Sequence, residues 1–109
     1  MKNPAILALL ITLIGCQHRI PERCDVDPEI FCAPFKELAA EMPDSAKKEL
    51  LALPKEEHWK LHFGLGMAVR NHFGLWQDNE LTRFFRDNGI DHPDSMSGPF
   101  IDGYALYLQ

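Results

Sequence analysis

The sequence lacks the marks of several large protein classes. No apolar run reaches the roughly 18 residues that a membrane-spanning helix needs. Positive charge is scarce, since 11 Lys and Arg against 16 Asp and Glu give a formal net charge of −5. This balance argues against a general nucleic-acid binder, which would carry a basic patch. No two alternating apolar segments are joined by a hairpin turn, so we expect no β-sheet.

What is present begins with an export signal in the first 16 residues. Lys2 is followed by an apolar stretch over residues 5–14, a length that suits a secretory signal. Residues 13–16 read LIGC, which resembles the lipobox of bacterial lipoproteins. The resemblance implies cleavage before Cys16 and acyl chains on that residue, which would anchor the protein to a membrane on the periplasmic side. An Asp after the lipidated residue favours inner-membrane retention in enteric-type bacteria, so Gln17 favours the outer membrane.

The chain has 3 cysteines, and two are left once Cys16 is assigned to lipid. In an oxidising compartment, Cys24 and Cys32 are predicted to form a disulfide. A zinc site and two free thiols are the alternatives, and zinc is weakly supported because no CxxC motif is present. The 109 residues therefore divide into a signal peptide (1–15), a disordered lipidated tether with a disulfide turn (16–33) and a single folded domain (34–109).

The apolar residues of the folded domain recur with a helical period. This pattern predicts an all-α bundle of four to five short helices, over 34–42, 44–53, 55–73, 79–88 and from 97 to the end. The segment 55–73 is apolar around more than half of its circumference, which predicts that it is the central helix. Its Gly64 and Gly66 predict either a close helix neighbour or a kink. The expected core aromatics are Trp59, Phe63, Phe73, Trp76, Phe84, Phe85, Phe100 and Tyr104.

Two histidines in this segment have the spacing of metal ligands. His58 and His62 are four residues apart, but the HExxH pattern is absent because Trp59 follows His58. A zinc site would need a further ligand such as His92, Asp91 or Asp94. Hydrogen-bonded structural histidines are the more common case, so we predict no metal and no cofactor, with His58 and His62 as weak metal candidates.

Arg70 falls within the apolar arc of the same segment. A guanidinium there needs a carboxylate partner, or it must extend along its stem to water. A buried ion pair is the structural interpretation, and an arginine presented to an anionic ligand is the functional alternative. The candidate partners are Asp78, Asp87, Asp91 and Asp94.

The segment before the last helix contains serine, histidine and aspartate. Residues 92–97 read HPDSMS. Neighbours in sequence cannot generally adopt the geometry of a catalytic triad, and no nucleophile elbow is present. We interpret these residues as the entry to a helix and predict that the protein is not an enzyme.

Several of these residues form one pattern. It reads HFGLGxxxRNxFGLW over 62–76 and GIxHPDxxS over 89–97, and it resembles a small bacterial family known as a domain of unknown function. The resemblance covers roughly residues 53–108 and implies a compact helical domain, with no chemistry attached. The sequence departs from the family pattern at Gly98 and Pro99, near the expected start of the last helix. The candidate polar cluster is His62, Arg70, Asn71, Trp76, His92 and Asp94.

These observations favour a lipid-anchored envelope protein that binds an unknown protein partner. One concrete form is an immunity or inhibitor protein, because small acidic lipoproteins can neutralise periplasmic toxins. A structural envelope lipoprotein without a dissociable ligand is the first alternative. A small metal-binding or hydrolytic envelope protein that uses His58, His62 and His92 is the second. We expect no nucleic-acid partner.

Overall fold

The computed structural model describes residues 24–109, and every regular element among them is helical. The predicted all-α class is therefore confirmed. Residues 1–23, with the predicted signal peptide, Cys16 and Gln17, lie outside the described residues. None of the described helices is long and apolar enough to cross a membrane. In chain order, the elements are a 3-10 helix (Glu29–Phe31), α1 (Cys32–Glu41), α2 (Asp44–Ala52), a second 3-10 helix (Lys55–Leu61), α3 (Leu65–His72), α4 (Glu80–Asp87) and α5 (Pro93–Leu108).

The centre of the fold is α5, and not the predicted helix over 55–73. It is 16 residues long and packs against the four other α-helices and the second 3-10 helix. Its buried apolar face includes Phe100, Ile101 and Tyr104. Tyr104 is fully buried, and its hydroxyl donates to the sulfur of Met42 at 3.4 Å. Burial raises the pKa of this phenol above its ordinary value, and the nearby Tyr107 raises it further.

The predicted central helix is divided into two shorter elements. Gly64 has φ −99° and ψ −94°, outside the helical region, and α3 begins only after it. Because the helical path is interrupted there, residues on the two sides of Gly64 no longer share one apolar face. Trp59 and Phe63 were predicted in the core, but they are 71% and 80% exposed.

Gly66 is explained by a close approach. A β-carbon at this position would lie 3.1 Å from Nη1 of Arg70 and 3.2 Å from the carbonyl oxygen of Leu61. A side chain here would therefore press on both the guanidinium and the backbone of the second 3-10 helix. Of the two explanations the sequence offered for its glycines, a kink applies at Gly64 and a close neighbour at Gly66.

The last helix begins at Pro93, four residues before the predicted start at Ser97. His92 caps it, since Nδ1 accepts a hydrogen bond from the backbone N–H of Asp94 at 3.0 Å. Pro93 occupies the first helical position, where its fixed φ is favourable. Pro99 lies inside the helix on an exposed position, where its ring can be accommodated although it offers no N–H to the preceding turn.

A disulfide links the N-terminal end of the described residues to the start of α1. Cys24 and Cys32 form the predicted disulfide, with their Cα atoms 6.0 Å apart. Between them, Phe31 is 7% exposed, and its ring centroid lies 5.5 Å from that of Phe35 and 5.9 Å from that of Phe100. The packed domain therefore extends further toward the N terminus than the predicted boundary at residue 34.

Candidate functional site

A cleft of about 550 Å³ opens between the second 3-10 helix, the turn after it and the first half of α5. We refer to this feature as the cleft throughout. The rings of Trp59 and Phe63 line it and are mostly exposed. His58 and Ser97 also line it, but they are 8% and 1% exposed. The cleft thus combines exposed aromatic rings with buried polar side chains.

The guanidinium of Arg70 is 4% exposed and joins both sides of the cleft. Its Nη1 donates to Oγ of Ser97 at 2.8 Å, and its Nη2 donates to the carbonyl oxygen of His62 at 3.1 Å. Its Nε lies 3.5 Å from Oδ1 of Asp94, whose side chain is 51% exposed. These contacts favour the structural interpretation of Arg70, because its N–H groups point at protein acceptors and not into the cleft.

The structure distinguishes among the carboxylates that were predicted to pair with Arg70. Asp94 is the ion-pair partner, as the sequence allowed. Asp78 pairs instead with the exposed Arg83 and Arg86, at 3.5 and 3.2 Å. The partner is therefore set by the packing of α3 against the start of α5.

Arg70 also fixes the ring of His62. Its Nη1 lies 3.4 Å from Nδ1 of His62. Since an arginine N–H can only donate, Nδ1 is the acceptor in this contact. The His62 ring in turn meets Phe63 edge-on, with centroids 4.8 Å apart and planes at 90°. The buried cation thus orients a histidine that contacts one of the exposed aromatic rings.

A second pair, His58 and Asp102, also lines the cleft. Nδ1 of His58 lies 2.7 Å from Oδ1 of Asp102, and the two side chains are 8% and 33% exposed. Sequence reasoning missed this pair because its members are 44 residues apart. One signal was present, since Asp102 adjoins Ile101 on the apolar side of α5 and a carboxylate there requires a partner.

The remaining members of the predicted polar cluster extend away from the cleft. The rings of Trp76 and His92 meet edge-on at 5.7 Å, and Nδ1 of His92 lies 3.8 Å from Oδ2 of Asp94. Trp76, predicted in the core, is 58% exposed. Asn71 is also exposed, and no side-chain hydrogen bond joins it to the cluster within the described residues. Five cluster residues are thus linked in a continuous series: His62, Arg70, Asp94, His92 and Trp76.

The structure engages the two weak metal candidates, His58 and His62, in other contacts. Nδ1 of His58 is engaged by Asp102, and Nδ1 of His62 faces Arg70. Among the described residues, the one group of three ligand side chains within 4.8 Å of one another is Glu37, Glu41 and His72. This group is exposed and lies outside the cleft.

A comparison with known families gives one match. A family model described as Domain of unknown function (DUF6794) matches residues 28–108. The match starts one residue before the first 3-10 helix and ends with the last residue of α5, so it covers the whole helical domain. No curated protein and no solved structure matches the chain.

Proposed function

The chain belongs to the DUF6794 family, whose domain spans residues 28–108, and from this premise we propose that it is a lipid-anchored envelope protein that binds a protein partner through the cleft. An immunity or inhibitor protein is the concrete form that fits its small size and net charge of −5. The observation that carries the proposal is the exposure of two large aromatic rings on one cleft.

Exposed aromatic rings at a cleft are typical of a contact surface. Trp59 and Phe63 leave 71% and 80% of their area in water, which is unfavourable until a partner covers it. Tryptophan is enriched among the residues that dominate binding energy, and such residues favour pockets. The walls beside them are held by the Arg70 contacts and by the His58–Asp102 pair. A surface already fixed before binding loses less conformational entropy on association.

The membrane anchor is the second part of the proposal. The LIGC box over residues 13–16 supplies Cys16 as the lipidation site. Several acyl chains exceed the two signals that stable anchoring requires. The segment from Cys16 to Cys24 reaches at most about 30 Å when fully extended. The cleft would therefore operate close to the membrane, with the outer membrane favoured by Gln17.

Mass spectrometry of protein from the membrane fraction tests the anchor. We expect the mature chain to start at Cys16 and to carry acyl chains there. The Cys16→Ala variant should carry no acyl chains and should keep residues 1–15, because the lipobox resemblance makes Cys16 the residue at which the signal is cleaved. An unmodified thiol at position 16, or cleavage of the variant before residue 16, would contradict the anchor.

Affinity capture from envelope extract tests the cleft. Trp59→Ala and Phe63→Ala should each weaken recovery of the partner, by about tenfold or more if the ring is a binding hot spot. Met67→Ala is the matched control, because Met67 is 45% exposed and lies outside the cleft. Equal recovery of the partner by the Trp59 and Met67 variants would reject the cleft as the binding surface and would favour a structural envelope lipoprotein.

A further inference from the structure

We infer that the occupant of the cleft is a basic side chain, arginine or lysine, on an exposed segment of the protein partner. The inference rests on the proposed function and names the chemistry that the cleft would recognise. Its basis is the juxtaposition of exposed aromatic rings and carboxylates.

The lining of the cleft carries more carboxylates than ammonium groups. Its lining contributes the carboxylates of Glu56, Asp94 and Asp102 and a single ammonium, from Lys55. Asp94 balances the buried Arg70, and Asp102 is directed at His58. Glu56 is exposed and has no ion-pair partner within residues 24–109. An incoming cation would therefore meet a carboxylate that the fold itself does not use.

The aromatic rings complement the same kind of ligand. The face of a tryptophan attracts ammonium and guanidinium groups through its quadrupole. The structure already contains such a contact, because Nζ of Lys60 lies 5.9 Å from the ring centroid of Trp59. The same ammonium donates to the carboxylate of Glu57 at 2.8 Å. A partner's cation would repeat this arrangement inside the cleft, with Glu56 as the carboxylate and the apolar stem against the rings.

The charge of the whole chain favours a basic protein over a membrane as the occupant. A net charge of −5 repels anionic headgroups and speeds encounter with a basic partner. Binding should therefore weaken as ionic strength rises, because the contributing charges on the protein surface are screened.

Nuclear magnetic resonance of the full chain in detergent micelles tests this inference with two small probes. The probe is N-acetyl-arginine amide, and its neutral counterpart is N-acetyl-citrulline amide, which keeps the shape and loses the charge. The two tryptophan indole N–H signals report separately, because Trp59 lines the cleft and Trp76 does not. We expect arginine to shift the Trp59 signal at low salt, with a much smaller effect of citrulline and with Trp76 unchanged.

Two variants test whether the carboxylate of Glu56 contributes to binding of the arginine probe. Glu56→Gln should lower the affinity for N-acetyl-arginine amide about two- to fivefold, which is the range expected for the loss of an exposed ion pair. Glu80→Gln, an exposed carboxylate on α4, is the matched control and should leave affinity unchanged. Equal shifts with arginine and citrulline, or an unchanged affinity in Glu56→Gln, would overturn the inference. So would movement of the Trp59 signal by phosphatidylcholine vesicles and not by arginine.

Failure of this inference is distinguishable from failure of the proposed function. If citrulline matches arginine while Trp59→Ala still abolishes partner capture, the cleft is a contact surface for an uncharged segment. If Trp59→Ala leaves partner capture intact, the proposed function itself is wrong, whatever the probes show.

Discussion

Replacement of Arg70 by methionine tests how the cleft is held together. The variant keeps a long side chain in a buried position but removes every donor of the guanidinium. It breaks the bonds to Oγ of Ser97 at 2.8 Å and to the carbonyl oxygen of His62 at 3.1 Å. It also leaves Asp94 without its ion-pair partner.

The cost can be worked out from these contacts. Hydrogen bonds to a charged group contribute about 1.5–3 kcal/mol each, and a buried hydroxyl left unpaired costs about 1–3 kcal/mol. Ser97 is 1% exposed, so water cannot replace its lost donor. Asp94 is 51% exposed and regains its hydration, which excludes the larger penalty of a stranded buried charge. Because the variant also removes a buried cation together with its desolvation cost, these losses do not add fully, and we expect Arg70→Met to lower the free energy of unfolding by about 2–4 kcal/mol.

Thermal and urea unfolding, followed by circular dichroism, measure this loss. For a domain of this size, about 2–4 kcal/mol corresponds to a fall in melting temperature of about 10 °C or more. Arg83→Met is the control, because Arg83 is 57% exposed and its contact with Asp78 is 3.5 Å. We expect that control to cost less than about 1 kcal/mol. Equal losses in the two variants would refute the claim that Arg70 joins the cleft.

Two further predictions concern the buried Tyr104 and the close packing around Gly66 in α3. Since burial keeps the pKa of Tyr104 above its ordinary value, the unfolded chain loses the phenolic proton first as pH rises past about 10, and stability falls there. Urea unfolding across that range should show that the free energy of unfolding falls less with rising pH in Tyr104→Phe than in Tyr107→Phe. Equal falls in the two variants would reject the Tyr104 phenol as the cause. Gly66→Ala should cost about 1–3 kcal/mol, because its β-carbon would lie 3.1 Å from Nη1 of Arg70. Gly98→Ala, with nothing within 4 Å, should be neutral or stabilising by up to about 1 kcal/mol, and thermal melts that rank the two glycine variants the other way would contradict the packing.

Three short helices follow directly from local sequence. The predicted spans 34–42, 44–53 and 79–88 lie within about two residues of α1, α2 and α4. Their apolar spacing is a local signal, and so are the prolines that bound the first two of them. Asn79 adds a capping box, since its side chain accepts from the N–H of Thr82 while its own N–H donates to the Thr82 hydroxyl.

The central element was assigned wrongly because a projection at a constant angle assumes an unbroken α-helix. Gly64 interrupts that path, so Trp59 and Phe63 turn to solvent. The sequence contained the glycine, but nothing local distinguishes a break from a close helix contact. The exposed rings on which the proposed function rests could therefore not be predicted.

The polar part of the site was predictable to different degrees. A guanidinium in an apolar arc requires a carboxylate, and Asp94 was among the predicted partners of Arg70. The choice among four carboxylates depends on how α5 crosses α3, which the sequence does not encode locally. The pair of His58 and Asp102 joins distant segments and gave no periodic signal.

The central claim is that the cleft is the surface that contacts a partner in the envelope. A photo-crosslinking amino acid in place of Trp59, in the full chain in living cells, tests it most directly. The same amino acid in place of Trp76 is the control, because Trp76 is 58% exposed and lies outside the cleft. We predict one discrete crosslinked partner from position 59 and none from position 76. No adduct from position 59, or the same adducts from both positions, would contradict the account.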